Sequence, residues 1–143
     1  MEQKIYRYVR SSSFSRRVLD AYRHRCAITG LQLELVVAPH ILVVGSGVDN
    51  DNVSNGFAMS PTFHAAFDDG LIYLAYREDE RSFLKLNDRP YNNLDGKRDA
   101  RKELVLAYTE KEIPEGNLPA NRDDWPDKEM VKQGNNDRNI YLM

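Results

Sequence analysis

Between Val36 and Gly70 the chain reads VVAPHILVVGSGVDNDNVSNGFAMSPTFHAAFDDG, and this stretch constrains the fold more than any other. It holds two of the three histidines, His40 and His64, and an Asn55-Gly56 pair. Glu34 to Val44 is rich in Val, Leu and Ile and reads as a strand. Pro39 inside it cannot donate to a ladder, so the strand lies at an edge or bends there. His40 follows that bend, where a side chain can be aimed out of the sheet. Gly45 to Ser54 is polar and reads as a loop. Asn55-Gly56 is a turn signal, and Phe57 to Met59 a short second strand. Ser60 is a good N-cap, Pro61 suits the first helical position, and Gly70 ends the helix. His64 and Asp68 then share one helix face at i,i+4. The order is strand, loop, strand, helix, with a histidine on the first strand facing two ligand-type side chains on the helix.

Each of these residues has a plain reading on its own. A lone histidine on a strand is usually structural, a His-Asp pair on a helix can be a surface contact, and Asn-Gly alone is a hairpin turn. Their joint spacing carries more. The order His40, Asn55, His64 resembles the motif of the HNH nucleases, and the nine-residue step from Asn55 to His64 matches that family. The strings APHI, NGFAMSP and FHAAFDDGL are similar to an HNH subgroup often found as the C-terminal domain of bacterial restriction enzymes. The resemblance spans about Tyr22 to Leu74.

The resemblance implies an α+β fold. Its ββα-metal (His-Me finger) core, about 34–70, carries an N-terminal helix, an additional β-hairpin and an irregular C-terminal tail. It implies a metal-dependent endonuclease that hydrolyses DNA phosphodiesters, of a restriction or defence type. His40 takes the place of the general base. Asn55 takes that of the asparagine that ties the loop down. His64 takes that of the metal ligand, and Asp68 falls where some members place a second helical ligand. One divalent ion is implied, Mg²⁺ in the first place, with Mn²⁺, Ni²⁺ or Zn²⁺ also accommodated. Many members have Asp, Glu or His just before the base as a further ligand; Pro39 stands there and cannot ligate through a side chain. That departure keeps open a DNA-binding module with a degenerate, inactive site, and beside it a structural or protein-interaction role. DNA is the implied partner, with a homodimer or a separate target-recognition domain or subunit as further expectations.

The whole chain sets the bounds. Its 143 residues suit one domain able to bury a modest core. No run approaches the roughly 20 apolar residues of a membrane span, and the N-terminus lacks the apolar stretch of a secretion signal. A single cysteine, Cys26, excludes an internal disulfide and a four-cysteine zinc knuckle, and it fits a reducing cytoplasm. Net charge is −2, so overall charge does not argue for nucleic acid. Its distribution does. Residues 1–25 hold seven basic and two acidic side chains, the other 118 hold 13 and 20. Arg16, Arg17, Arg23 and Arg25 are therefore candidate DNA contacts, against the alternative of a solvated helix face.

Ser11 to Ser13 can cap a helix from about Phe14 to Arg25, with Phe14, Val18, Ala21 and Tyr22 facing the core. His24, among arginines, reads as an exposed residue or a phosphate contact rather than a ligand. Cys26 to Ile28 is a short strand candidate and Thr29-Gly30 a turn. Leu71 to Tyr76 and Ser82 to Leu86 read as a hairpin. Ala100 to Tyr108 is ambiguous between helix and strand. The expected division is a nuclease domain over 1–113 and an extended tail over 114–143 packed on it. Three prolines punctuate the tail, Trp125 anchors it, and Asn139 to Met143 adds an edge strand.

Overall fold

The computed structural model describes residues 13–32, 36–42, 51–77, 82–86 and 100–138. The expected strand over Asn139 to Met143, the start and end of the Glu34–Val44 strand and most of the 45–54 loop lie outside them.

Helix α1 occupies 13–21. Phe14, Val18 and Tyr22 recur every four residues and are all buried, so the helix lies on the core by one face. It stops before the expected Arg25. Arg23 and His24 adopt left-handed backbone, φ 57° and 55°, and His24 N–H reaches back to the Leu19 carbonyl at 2.7 Å. The expected strand at Cys26 to Ile28 is a turn over 27–29 instead. All three side chains are buried, which an alternating strand at a surface would not allow. A bond from Ala27 N–H to the Ala58 carbonyl at 2.9 Å is what ties the turn to the next element.

That element is the hairpin read from the sequence, reduced to two antiparallel bridges, Val37 with Met59 and His40 with Gly56. Pro39 lies between them and has no N–H to continue the ladder, although its carbonyl accepts from Phe57 N–H at 3.2 Å. Val53–Asn55 form a single 3-10 turn leading into the second arm. Helix α2, Pro61–Asp68, follows at once, with Ser60 before it and Pro61 at its first position. Its end is the one the sequence marks. Gly70 has φ 72°, and Leu71 N–H caps the Ala66 carbonyl at 2.8 Å. Phe63, Ala66 and Phe67 face the core, leaving His64 and Asp68 on the outer side.

Strands β1, Ile72–Tyr76, and β2, Ser82–Leu86, pair antiparallel, with Leu74 opposite Leu84; β3, Lys111–Glu112, adds to the far side of β2. Ile72, Leu74 and Leu84 point into the main core, while Tyr73, Ala75 and Phe83 gather on the opposite face. The ambiguous Ala100–Tyr108 segment is a helix, α3. The tail is more regular than its prolines suggest. After short 3-10 turns at Glu115–Asn117 and Arg122–Asp124 it forms helix α4, Lys128–Asp137, capped by the Asp127 carboxylate on Glu129 and Met130 N–H. Leu118 and Val131 sit in the same core as α1 and α2, and Trp125 packs against it.

Gly56 marks the tightest approach in this core. A Cβ there would lie 2.4 Å from Val18 Cγ2 and 2.9 Å from Phe14 Cζ. Gly56→Ala is therefore expected to destabilise by roughly 1–3 kcal/mol, through overpacking against α1. The urea unfolding midpoint checks this, and an unshifted midpoint would contradict the packing described.

Candidate active site

The site is built from the hairpin outward. Asn55 is fully buried, and its amide faces the backbone of Leu42 as a strand neighbour would. Its Oδ1 accepts from Leu42 N–H at 2.9 Å and its Nδ2 donates to the Leu42 carbonyl at 3.1 Å. Its own carbonyl accepts from Ile41 N–H at 2.7 Å. Asn55 thus ties down the chain immediately after His40.

His40 is held in place by α1. The Phe14 ring lies flat on the imidazole, 3.8 Å between centroids and 5° between planes. His40 Nε2 meets Asp51 Oδ1 at 3.2 Å, with both side chains about one-fifth exposed. The sequence reading did not single out Asp51. Eleven residues and a loop separate it from His40, and nothing in its local context marks it among the other Asp and Asn residues of that loop.

His64 and Asp68 come together on α2 as their spacing predicts, Nε2 to Oδ2 3.0 Å, and both are accessible. Two donors at about 2.1 Å from one octahedral ion, at right angles, lie about 3 Å apart, so this pair suits adjacent positions on a hard divalent cation. Carboxylate suits Mg²⁺ or Mn²⁺, and imidazole favours Ni²⁺ or Zn²⁺. Among the described residues no group of three or more His, Cys, Asp or Glu side chains converges.

Arg138 ties the two halves together from the C-terminal side, and the sequence reading missed it. Its guanidinium donates to the Ile41 carbonyl at 3.1 Å and to the Gly134 carbonyl at 3.3 Å, and it stacks 4.0 Å from the centroid of the Phe67 ring. One cation therefore contacts the residue after His40 and the residue before Asp68. Burial pushes the Arg138 guanidinium below the usual arginine range, with Asp68 and Asp137 pulling it back. Gly134 makes the contact feasible, because a Cβ there would stand 2.7 Å from the Ile41 carbonyl oxygen. Asn135 Nδ2 on the Leu74 carbonyl, Asp127 N–H on the Ser54 carbonyl and Tyr76 Oη on the Pro126 carbonyl complete the docking of the tail.

The four candidate DNA arginines divide. Arg17 Nη2 donates to the Asp51 carbonyl at 2.8 Å, beside the site. Arg23 Nη2 binds the Gly116 and Leu118 carbonyls at 2.6 and 3.0 Å, anchoring the C-terminal segment. Arg16 and Arg25 are exposed. His24 is exposed as expected and pairs with Asp20 at 2.9 Å. Among the described residues, no helix is long and apolar enough to cross a membrane.

A histidine-bearing hairpin pinned by a buried asparagine, followed by a histidine-bearing helix, is the ββα-metal arrangement within an α+β protein. Residues 26–75 match the family model described as HNH endonuclease. Among solved structures the chain is similar to a modification-dependent TagI restriction endonuclease, at 19% identity and a TM-score of 0.50. That similarity covers 87% of this chain and 37% of the restriction enzyme, so the chain spans little more than a third of that protein's length. No match was found among curated proteins. Residues 26–75 thus resemble the HNH endonucleases, and the fold of the chain resembles that of part of the restriction endonuclease.

Proposed function

We propose that the protein is a metal-dependent endonuclease that hydrolyses DNA phosphodiester bonds, of a restriction or defence type. The observation that carries the reading is the joint geometry of His40, Asn55 and His64. A pinned imidazole lies on the hairpin, and an accessible His-Asp donor pair lies on the helix that follows. In this reading His40 takes the proton from the attacking water, a task for which a neutral imidazole is suited. Asn55 keeps the backbone that carries it in place. His64 and Asp68 hold the divalent ion, Mg²⁺ in the first place. Such an ion supplies positive charge where the phosphate and the departing 3′ oxygen gain negative charge. The products are a 5′ phosphate and a 3′ hydroxyl.

A second reading, a DNA-binding module with an inactive site, draws on Pro39, which stands where a further ligand would be. Supercoiled plasmid incubated with Mg²⁺ or Mn²⁺, with and without chelator, separates the two. Chelator-sensitive nicking supports the endonuclease. Plasmid retained without nicking supports the second reading.

The basic first helix is assigned to the DNA backbone in the same reading. Arg17 and Arg23 also hold the fold, so Arg16 and Arg25 are the clean probes. Arg16→Glu with Arg25→Glu is expected to weaken binding to all sequences alike. It should also lower the slope of log affinity against log salt by about 2, one for each lost phosphate contact. An unchanged slope in a filter-binding titration would return both side chains to the solvated surface.

A further inference from the structure

The geometry points to Asp51 as a positioning residue that fixes the His40 imidazole in one tautomer, leaving Nδ1 as the nitrogen that accepts the proton from water. This rests on the nuclease reading above for its catalytic consequence, but the pairing itself stands on contacts already described.

Two constraints act on the ring. Phe14 sets its plane, because parallel contact at 3.8 Å leaves no room for the imidazole to tilt. Asp51 sets its rotation within that plane, with Oδ1 at 3.2 Å from Nε2. An ionised carboxylate can only accept, so the nitrogen facing it carries the proton. A neutral imidazole has a single N–H, and with that N–H on Nε2 the lone pair of Nδ1 is free. Turning the ring over would remove Nε2 from Asp51 while Phe14 still held the plane.

The carboxylate is itself placed from α1. Arg17 lies one helical turn from Phe14 and donates to the Asp51 backbone carbonyl at 2.8 Å. One face of α1 therefore supplies the surface under the ring and the anchor of the residue that orients it. In outline this is a base steered by a carboxylate on its far nitrogen, a division of labour known from serine hydrolases. The two nitrogens exchange roles here.

The test uses the full chain labelled with ¹⁵N. Long-range ¹H–¹⁵N correlation reports which ring nitrogen of neutral His40 carries the proton. The Nε2–H tautomer is expected in the parent protein, and Asp51→Ala is expected to lose that preference. Plasmid nicking by Asp51→Ala should fall roughly 10²-fold in kcat, with KM for DNA nearly unchanged, because the residue acts on the base and not on substrate. A parent ring protonated on Nδ1, or an Asp51→Ala ring of unchanged tautomer, overturns the pairing. Parent-rate nicking by Asp51→Ala, where His40→Ala is inactive, overturns the positioning role. If His40→Ala also nicks at the parent rate, the assignment of His40 as base falls and takes that role with it. The tautomer measured in the parent protein still reports on the pairing alone.

Discussion

His40→Ala is expected to lose roughly 10²–10⁴-fold in nicking rate while keeping both metal and DNA, the usual cost of removing a general base. His64→Ala is expected to lose nicking together with metal. The difference follows from position. His40 sits on the hairpin, paired to Asp51 and stacked on Phe14, whereas the donor pair lies on α2. His64 is one of two ligand-type groups on that helix, and without it Asp68 alone remains to hold an ion. Charge stabilisation of the leaving oxygen disappears with the ion. Nicking rate, Mn²⁺ binding by calorimetry and DNA binding, measured on both folded variants, separate the roles. Metal lost from His40→Ala but kept by His64→Ala would show that they had been assigned the wrong way round.

Asn55→Ala is expected to damage the protein in two ways, and the larger is stability. The side chain is fully buried and makes two bonds to the backbone of Leu42, itself buried. Truncation leaves a buried N–H and a buried C=O without those partners, at about 1–3 kcal/mol each, so roughly 2–6 kcal/mol in all. That is a large part of the stability of a small domain. In whatever fraction stays folded, the chain after His40 is released and the base misplaced, which is costly even for small displacements. Urea unfolding gives the first quantity, and nicking per folded molecule the second. A variant as stable as the parent would mean that Asn55 does not pin the loop.

The hairpin and α2 were legible because their signals are local. Ser60-Pro61 opens the helix, Gly70 closes it, and the four-residue step alone brings His64 to Asp68. The family resemblance rested on the spacing of three residues and on the strings around them, all within one supersecondary unit. The hidden parts depend on distant chain. Helix α4 contains Gly134, Asn135 and Asn136, poor helix formers, and few apolar residues. It forms because Val131 is buried, Asn135 finds the Leu74 carbonyl, and Gly134 lets the backbone reach Ile41. One local signal for it stands in the sequence, Asp127 as N-cap with Glu129 in the first turn. Asp51 and Arg138 were invisible for the same reason. Their meaning lies in partners 11 and 97 residues away.

That last separation bears on when, during synthesis, the hairpin and α2 become braced against each other. A growing chain leaves the ribosome N-terminus first, at about 5–20 residues each second, and long-range contacts are the slowest to form. By the time Gly70 has emerged, His40, Asn55, His64 and Asp68 have all been made, yet the segment that braces the Ile41 carbonyl and the Phe67 ring has not. Placing that brace at Arg138 delays completion of the site until nearly all the described chain exists. The hairpin and α2 therefore stay without their shared brace until the segment carrying Arg138 has been made.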